Sequence, residues 1–196
     1  MGRHCANKEL KKRQIDYVRT REPGGTPLGE EIRHLILRTS EVAPTSKTEA
    51  LLYQASRSQH VDQVILPALK RGAWVLCDRY TASSLAFQGA ARGLGEAAIE
   101  VLNEFSTSGL RPDVTVLLDL RVEAAETRRQ KRGVLTGEGP DRIEREAKSF
   151  HEKVRDSFLS QSKASDEAWI VLDAQKPIEE LWKILRQKLL QLEVFK

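Results

Sequence analysis

Two kinds of hydrophobic pattern alternate along the chain, and the first is helical. Leu28, Ile32, Leu35 and Ile36 recur at three- and four-residue spacing and predict a helix over 28–37. Thr48 to Arg71 reads as one long helical stretch, with Pro67 as the place for a bend. Glu9 to Gln14 has the pattern of a helix end. A last helix begins near Pro177, a good first-turn residue. Its apolar stripe of Ile178, Leu181, Trp182, Leu185, Leu189 and Leu192 predicts a buried face.

The second kind is a short, continuous apolar run. "GAWVLCDR" (72–79), "PDVTVLLDL" (112–120) and "WIVLDA" (169–174) each run into charge. Ile15 to Val18 is a shorter run that leads into Arg21-Glu22-Pro23-Gly24-Gly25. Such runs between helices predict parallel strands buried on both faces, because helices cover both sides of a parallel sheet. The predicted fold class is α/β: a three-layer α/β/α domain around a parallel sheet.

Composition sets the frame around that pattern. At 196 residues, with 40% hydrophobic and 31% charged positions, the chain has the size of one domain spanning 1–196. The net charge of +4 suits an anionic ligand. The chain has no recognition motif of a nucleic-acid binder, so none is expected as a partner. The 2 cysteines, Cys5 and Cys77, are far apart and lack metal-ligand spacing, and the 4 histidines are scattered. The expectation is a reducing compartment and no protein metal cage. No apolar run approaches the roughly 18 residues of a membrane span, and the polar start of the chain has no signal-peptide core. The expected location is the cytoplasm.

In parallel sheets ligands bind outside the carboxyl ends of the strands. The charged residues at those ends are Arg21 and Glu22, Asp78 and Arg79, Asp119, and Asp173. Asp119 and Asp173 taken alone read as caps or turn formers. Asp78 and Arg79 instead open a longer string, "LCDRYTASSLAFQGAARG" (76–93). An arginine at a strand end can grip a phosphate bidentately. An amide such as Gln88 can donate to and accept from a base edge at once. Tyr53 and Arg57 are four residues apart and share one helix face, where a ring can stack on a base and a guanidinium can reach its carbonyls.

The string 76–93 resembles the signature of the thymidylate kinase (dTMP kinase) family, as does "TREPGGTPLGEEIR" (20–33). "TEALLYQASRSQH", "RPDVTVLLDL", "RGVLTGEGPDRIE", "SFHEKVRDSFL" and "VLDAQKPIEEL" are similar to further segments of that family, in the same order, so the resemblance runs from about residue 9 to the end. It implies transfer of the γ-phosphoryl group of ATP to dTMP, giving dTDP and ADP, with Mg²⁺ accompanying ATP. It implies a dTMP site made by Arg21, Glu22, Pro23, Gly24, Tyr53, Arg57, Asp78, Arg79, Ser83, Gln88 and Arg92. Arg79 would hold the dTMP phosphate, and Gly24 would let the backbone approach the ligand closely. A lid over about 128–144 would bring Arg128, Arg129 and Arg132 to ATP. Arg132 is the preferred catalytic arginine, because it precedes Gly133 and the loop "GVLTGEGP". Asp141, Arg142 and Glu144 would sit beside the transferred phosphate, with an acid steering Mg²⁺ indirectly. The resemblance also implies a homodimer, for which the helix of 48–71 could supply the interface.

The family's first strand and its phosphate loop, G-x-x-x-x-G-K-[ST], have no match in the chain; Gly2 to Cys5 and Gly137 to Pro140 do not supply them. The fold expected on this account is a phosphate-loop nucleoside monophosphate kinase without its first, central strand. Two half-sheets with unpaired edges would follow. The alternative reading is a catalytically impaired relative that binds dTMP without transferring phosphate.

Overall fold

The computed structural model describes residues 9–40, 42–137, 139–164 and 168–192. Gly2 to Cys5 and Glu138 lie outside the described residues. Residues 9–12 are helical, and the chain then enters strand β1 (Tyr17–Arg21). Helix α1 (Pro27–Leu37) follows. Its start is set by the side chain of Thr26, which accepts from the Gly29 backbone N–H at 2.9 Å, and by Pro27 in the first turn. Ile32 and Ile36 are its buried apolar residues.

The stretch predicted as one helix over 48–71 is helical throughout, with an inserted π turn. Helix α2 (Ser46–His60) passes through π-helical Val61–Ile65 into α3 (Leu66–Lys70). The π turn lies just ahead of Pro67, which cannot donate to the helical ladder. Strand β2 (Trp74–Asp78) pairs in parallel with β1, from Tyr17 opposite Trp74 to Arg21 opposite Asp78. The chain continues through α4 (Thr81–Ser84), a second π-helical segment (Leu85–Ala91) and α5 (Glu96–Thr107). Then come β3 (Val114–Asp119), α6 (Val122–Thr136), α7 (Lys148–Ala164), β4 (Ala168–Asp173) and α8 (Ile178–Gln191).

Strand β3 pairs in parallel with β4, from Val114 opposite Ala168 to Asp119 opposite Asp173. All the described strand pairs are thus parallel and helices separate them, which is an α/β arrangement. The arrangement is the pair of half-sheets expected above and not one continuous sheet. Among the described residues the strands form two separate pairs, and β2 is not hydrogen-bonded to β3. Val116 and Leu118, on one face of β3, are 40% and 57% exposed. The stripe on α8 needs correction: none of its residues is fully buried. Helix α8 packs chiefly along β4 and has solvent on its other sides.

The best-packed apolar cluster joins Ala86, Ile143, Phe150 and Val154, with Leu37, Phe87 and Phe158 against it. Phe87 meets Phe150 and Phe158 edge-on, with ring centroids 6.0 and 6.4 Å away. This cluster fastens the segment after β2 to α7. No helix of the described residues is long and apolar enough to cross a membrane.

Candidate active site

The carboxyl ends of β1 and β2 lie side by side, so Arg21-Glu22 and Asp78-Arg79 come together as the parallel register requires. Glu22 is directed inward. Its carboxylate accepts from Arg57 Nε at 2.8 Å and is 2.9 Å from His60 Nδ1. Arg57 is 1% exposed. Its Nη1 donates to Gln54 Oε1, Ser84 Oγ and Asn103 Oδ1 at 2.8–3.0 Å. The guanidinium also lies 5.4 Å from the Tyr80 ring centroid. Arg57 is therefore a buried cation held through Nε and Nη1.

Thr20 Oγ1 lies 2.6 Å from His60 Nε2, so both nitrogens of that imidazole are occupied. Glu22, His60 and Cys77 offer donor atoms within 4.8 Å of one another. Glu22 already neutralises Arg57 and the histidine has both nitrogens in use, so the cluster works as a hydrogen-bonded strut. It fixes the turn that follows β1. There Gly24 N–H donates to Ser56 Oγ at 3.0 Å, and Arg33 donates to the Pro23 carbonyl at 3.1 Å. Gly24 and Gly25 have φ of 125° and 81°, in the region that favours glycine. Arg21 turns away from this network and makes a two-pronged pair with Glu30 at the surface.

A second buried carboxylate, Glu49, sits in the first turn of α2. It accepts from Gln88 Nε2 at 2.8 Å, from Arg92 Nε and Nη2 at 3.2 and 3.1 Å, and from Arg142 Nη2. Burial alone would raise its pKa. The hydrogen bonds from Arg142, Gln88 and Arg92 outweigh burial and hold the carboxyl below its ordinary value. Tyr53 follows one turn later. Burial first, and the Glu49 charge second, push its phenol up to about 12. Arg79 and Arg142 act on that phenol in the opposite sense.

Arg79 has φ of 69°, a strained backbone state for a residue with a side chain. Its guanidinium lies 5.0 Å from the Phe87 ring centroid, at the rim of a cavity of about 320 Å³. Asp119, Arg129, Glu144, His151 and Arg155 also line that cavity. Asp119 had the reading of a cap. Here it forms a bidentate pair with Arg155, at 2.7 and 2.8 Å, that ties the end of β3 to α7. Asp173 does form a turn, accepting from Gln175 N–H at 2.9 Å.

The three arginines expected to reach ATP have different surroundings. Arg128 donates to the Ala174 carbonyl at 2.8 Å. Arg129 donates to the Glu144 carbonyl at 2.9 Å and faces the cavity. Arg132 pairs with the Glu144 carboxylate at 2.6 Å, on a half-exposed side chain. Asp141 and Glu144 cap each other's backbone N–H groups, as in a capping box. The predicted loop from Gly133 needs correction, since α6 continues to Thr136 and stops at Gly137 with φ of 70°.

The structure thus brings Glu22, Pro23, Gly24, Arg57 and Tyr53 to one region, with Gln88 and Arg92 attached through Glu49. Asp78 is exposed at its strand end, and Ser83 is half-buried. Its neighbour Ser84 is the serine that reaches Arg57. Sequence reasoning did not single out Ser84, Asn103, His60 or Glu49. The signal for Glu49 was its position four residues before Tyr53 and eight before Arg57, on the same helix face.

Comparison with known proteins agrees with this geometry. The family model described as thymidylate kinase matches residues 4–183. The thymidylate kinase of Bdellovibrio bacteriovorus is 60% identical over 187 residues, covering 95% of this chain and 87% of the relative. That of Alkalilimnicola ehrlichii is 45% identical over 180 residues, covering 92% and 81%. That of Pseudomonas fluorescens is 43% identical over 191 residues, covering 97% and 89%. A match over most of both partners, on top of a buried arginine–carboxylate network behind a strand-end arginine, means that this chain belongs to the thymidylate kinase family.

Proposed function

We propose that the chain transfers the γ-phosphoryl group of ATP to dTMP, giving dTDP and ADP. The observation that carries this reading is the Glu22–Arg57 network, since it holds a cation and its neighbours rigidly behind Tyr53 and the glycine turn. A rigid polar wall suits recognition of a base edge, because it costs no reorganisation on binding. Arg79, strained and open to the cavity, is the residue for the dTMP phosphate. Arg132 is the lid arginine for the developing charge, and release from Glu144 is its first step. Phosphoryl transfer of this type is positioning and charge neutralisation, without a covalent enzyme intermediate.

Mg²⁺ enters with ATP in this reading and neutralises phosphate charge. Glu144 lines the cavity, but its carboxylate already accepts from Arg132 and from Asp141 N–H. It suits a water molecule of the hydrated ion better than direct coordination. A further strand between β2 and β3, leading into a phosphate-binding loop, belongs to the same reading, because β2 and β3 each have one unpaired edge among the described residues. The homodimer and a cytoplasmic location are part of the proposal. For the dimer, Phe105 and Val101 stand one turn apart on α5, 84% and 70% exposed, and Leu51 on the adjoining α2 is 58% exposed. The alternative of a binding-only relative is not favoured, because the curated relatives that match nearly the whole chain are themselves thymidylate kinases.

The test is dTMP-dependent release of ADP with Mg·ATP in excess. It compares the 196-residue chain with a form carrying an added strand and G-x-x-x-x-G-K-[ST] loop. Turnover specific to dTMP in either form supports the kinase. Tight dTMP binding without turnover in both forms would favour the binding-only alternative.

A further inference from the structure

We infer that Glu49 sets the base specificity of the acceptor site by fixing which way the Gln88 amide points. This rests on the dTMP reading above. Gln88 is buried within the π-helical segment, and its Nε2 donates to Glu49 Oε1 at 2.8 Å. An ionised carboxylate can only accept, so it admits the amide NH₂ and repels the amide oxygen. Glu49 is kept ionised by Arg92 and Arg142, which pair with its other lone pairs. The amide orientation is thus dictated by charge. Among the described residues Gln88 Oε1 accepts no hydrogen bond, which leaves it as the acceptor available to a bound base.

An acceptor at that place selects for a donor. Thymine carries N–H at its N3 position, whereas cytosine carries a lone pair there. A fixed Gln88 oxygen matches the first and opposes the second, which is selection by repulsion as well as attraction. The same carboxylate also joins distant parts of the chain. Arg142 lies within the predicted lid segment, and its Nε donates to the Ile36 carbonyl at 2.9 Å. Lid-side residues, the end of α1 and the base-reading helix therefore meet at one charge. Glu49 acts through Gln88 and is a positioning residue.

The experiment measures binding of dTMP and of dCMP by calorimetry to the full chain and to Glu49→Gln. A neutral amide at 49 can pair with Gln88 in either orientation. The expected result is a fall of about tenfold or more in the dTMP-over-dCMP ratio, the scale of one buried hydrogen bond and its opposed lone pair. Equal weakening of both ligands, with the ratio unchanged, would overturn the inference and leave Glu49 a purely structural ion. Since Glu49→Gln strands Arg142 in a buried place, the double variant Glu49→Gln/Arg142→Gln removes both charges together. It is expected to lose the same ratio, and a folded double variant that keeps the ratio overturns the inference. Failure of the parent chain to prefer dTMP over dCMP is a separate outcome, which sinks the substrate reading and this inference with it.

Discussion

Replacing Glu22 by glutamine removes one charge from the most deeply buried ion pair of the described structure and changes almost no volume. Arg57 Nε lies 2.8 Å from the Glu22 carboxylate, with the side chains 1% and 3% exposed. Two unit charges about 4 Å apart attract by about 4 kcal/mol at an effective dielectric of 20. Stranding one member of a buried pair costs about 3–5 kcal/mol by mutational precedent. Gln54, Ser84 and Asn103 still accept from Arg57 Nη1, so the loss belongs at the lower end. About 3 kcal/mol is roughly a hundredfold in the unfolding equilibrium. The assay is a urea titration read at two wavelengths, taking the shift in midpoint at constant m-value. The control is Glu100→Gln, which breaks the exposed Arg111–Glu100 pair and should cost less than about 1 kcal/mol. Equal shifts for the two variants would refute the argument that Glu22 holds the site's central cation.

Gly25→Ala places a Cβ 2.6 Å from His60 Cδ2 at φ of 81°. His60 is fully buried and cannot retreat, so a loss of at least about 2 kcal/mol, or about 4 °C or more in Tm, is expected by thermal unfolding. An unchanged Tm contradicts the rigid-turn account. Arg132→Ala should lower kcat about a hundredfold or more in steady-state assays while leaving KM for dTMP within about twofold. Arg128→Ala should spare kcat, because Arg128 is spent on the Ala174 carbonyl. Equal kcat losses would remove the distinction between them.

What the sequence makes legible here is the backbone of the argument: alternating helices and parallel strands, and charged strand ends. Apolar runs find strands well because a strand needs little more than a continuous apolar surface. The first strand is shifted, from the expected 15–18 to Tyr17–Arg21. Arg19, Thr20 and Arg21 are polar, yet their backbone pairs with Leu76, Cys77 and Asp78, and pairing does not read side chains. The π turns at 61–65 and 85–91 are invisible to hydropathy, since an extra residue in a ladder leaves composition unchanged. Gly133 read as the start of a loop, but one glycine inside a helix costs only about 1 kcal/mol. Gly137, in the left-handed state, is the real stop.

The site itself was only half legible, and α2 shows why. Its buried residues are Glu49, Ala50, Gln54, Ser56, Arg57 and His60. A periodicity argument assigns the polar face of a helix to solvent. Here the polar face is the inner one, so the pattern marks a helix correctly and turns it the wrong way. Burying that face is tolerable only because each group finds a partner: Arg57 with Glu22, Glu49 with Arg92 and Arg142, Gln54 with Asn103. Those partners lie between 35 and 93 residues away in the chain, so no local window contains them. Such a network adds little net stability over an apolar core of the same shape. What it adds is fixed donors and acceptors at defined places, which an apolar core cannot offer to a base or a phosphate. A helix that is polar on its inner face is therefore evidence of recognition chemistry in its own right.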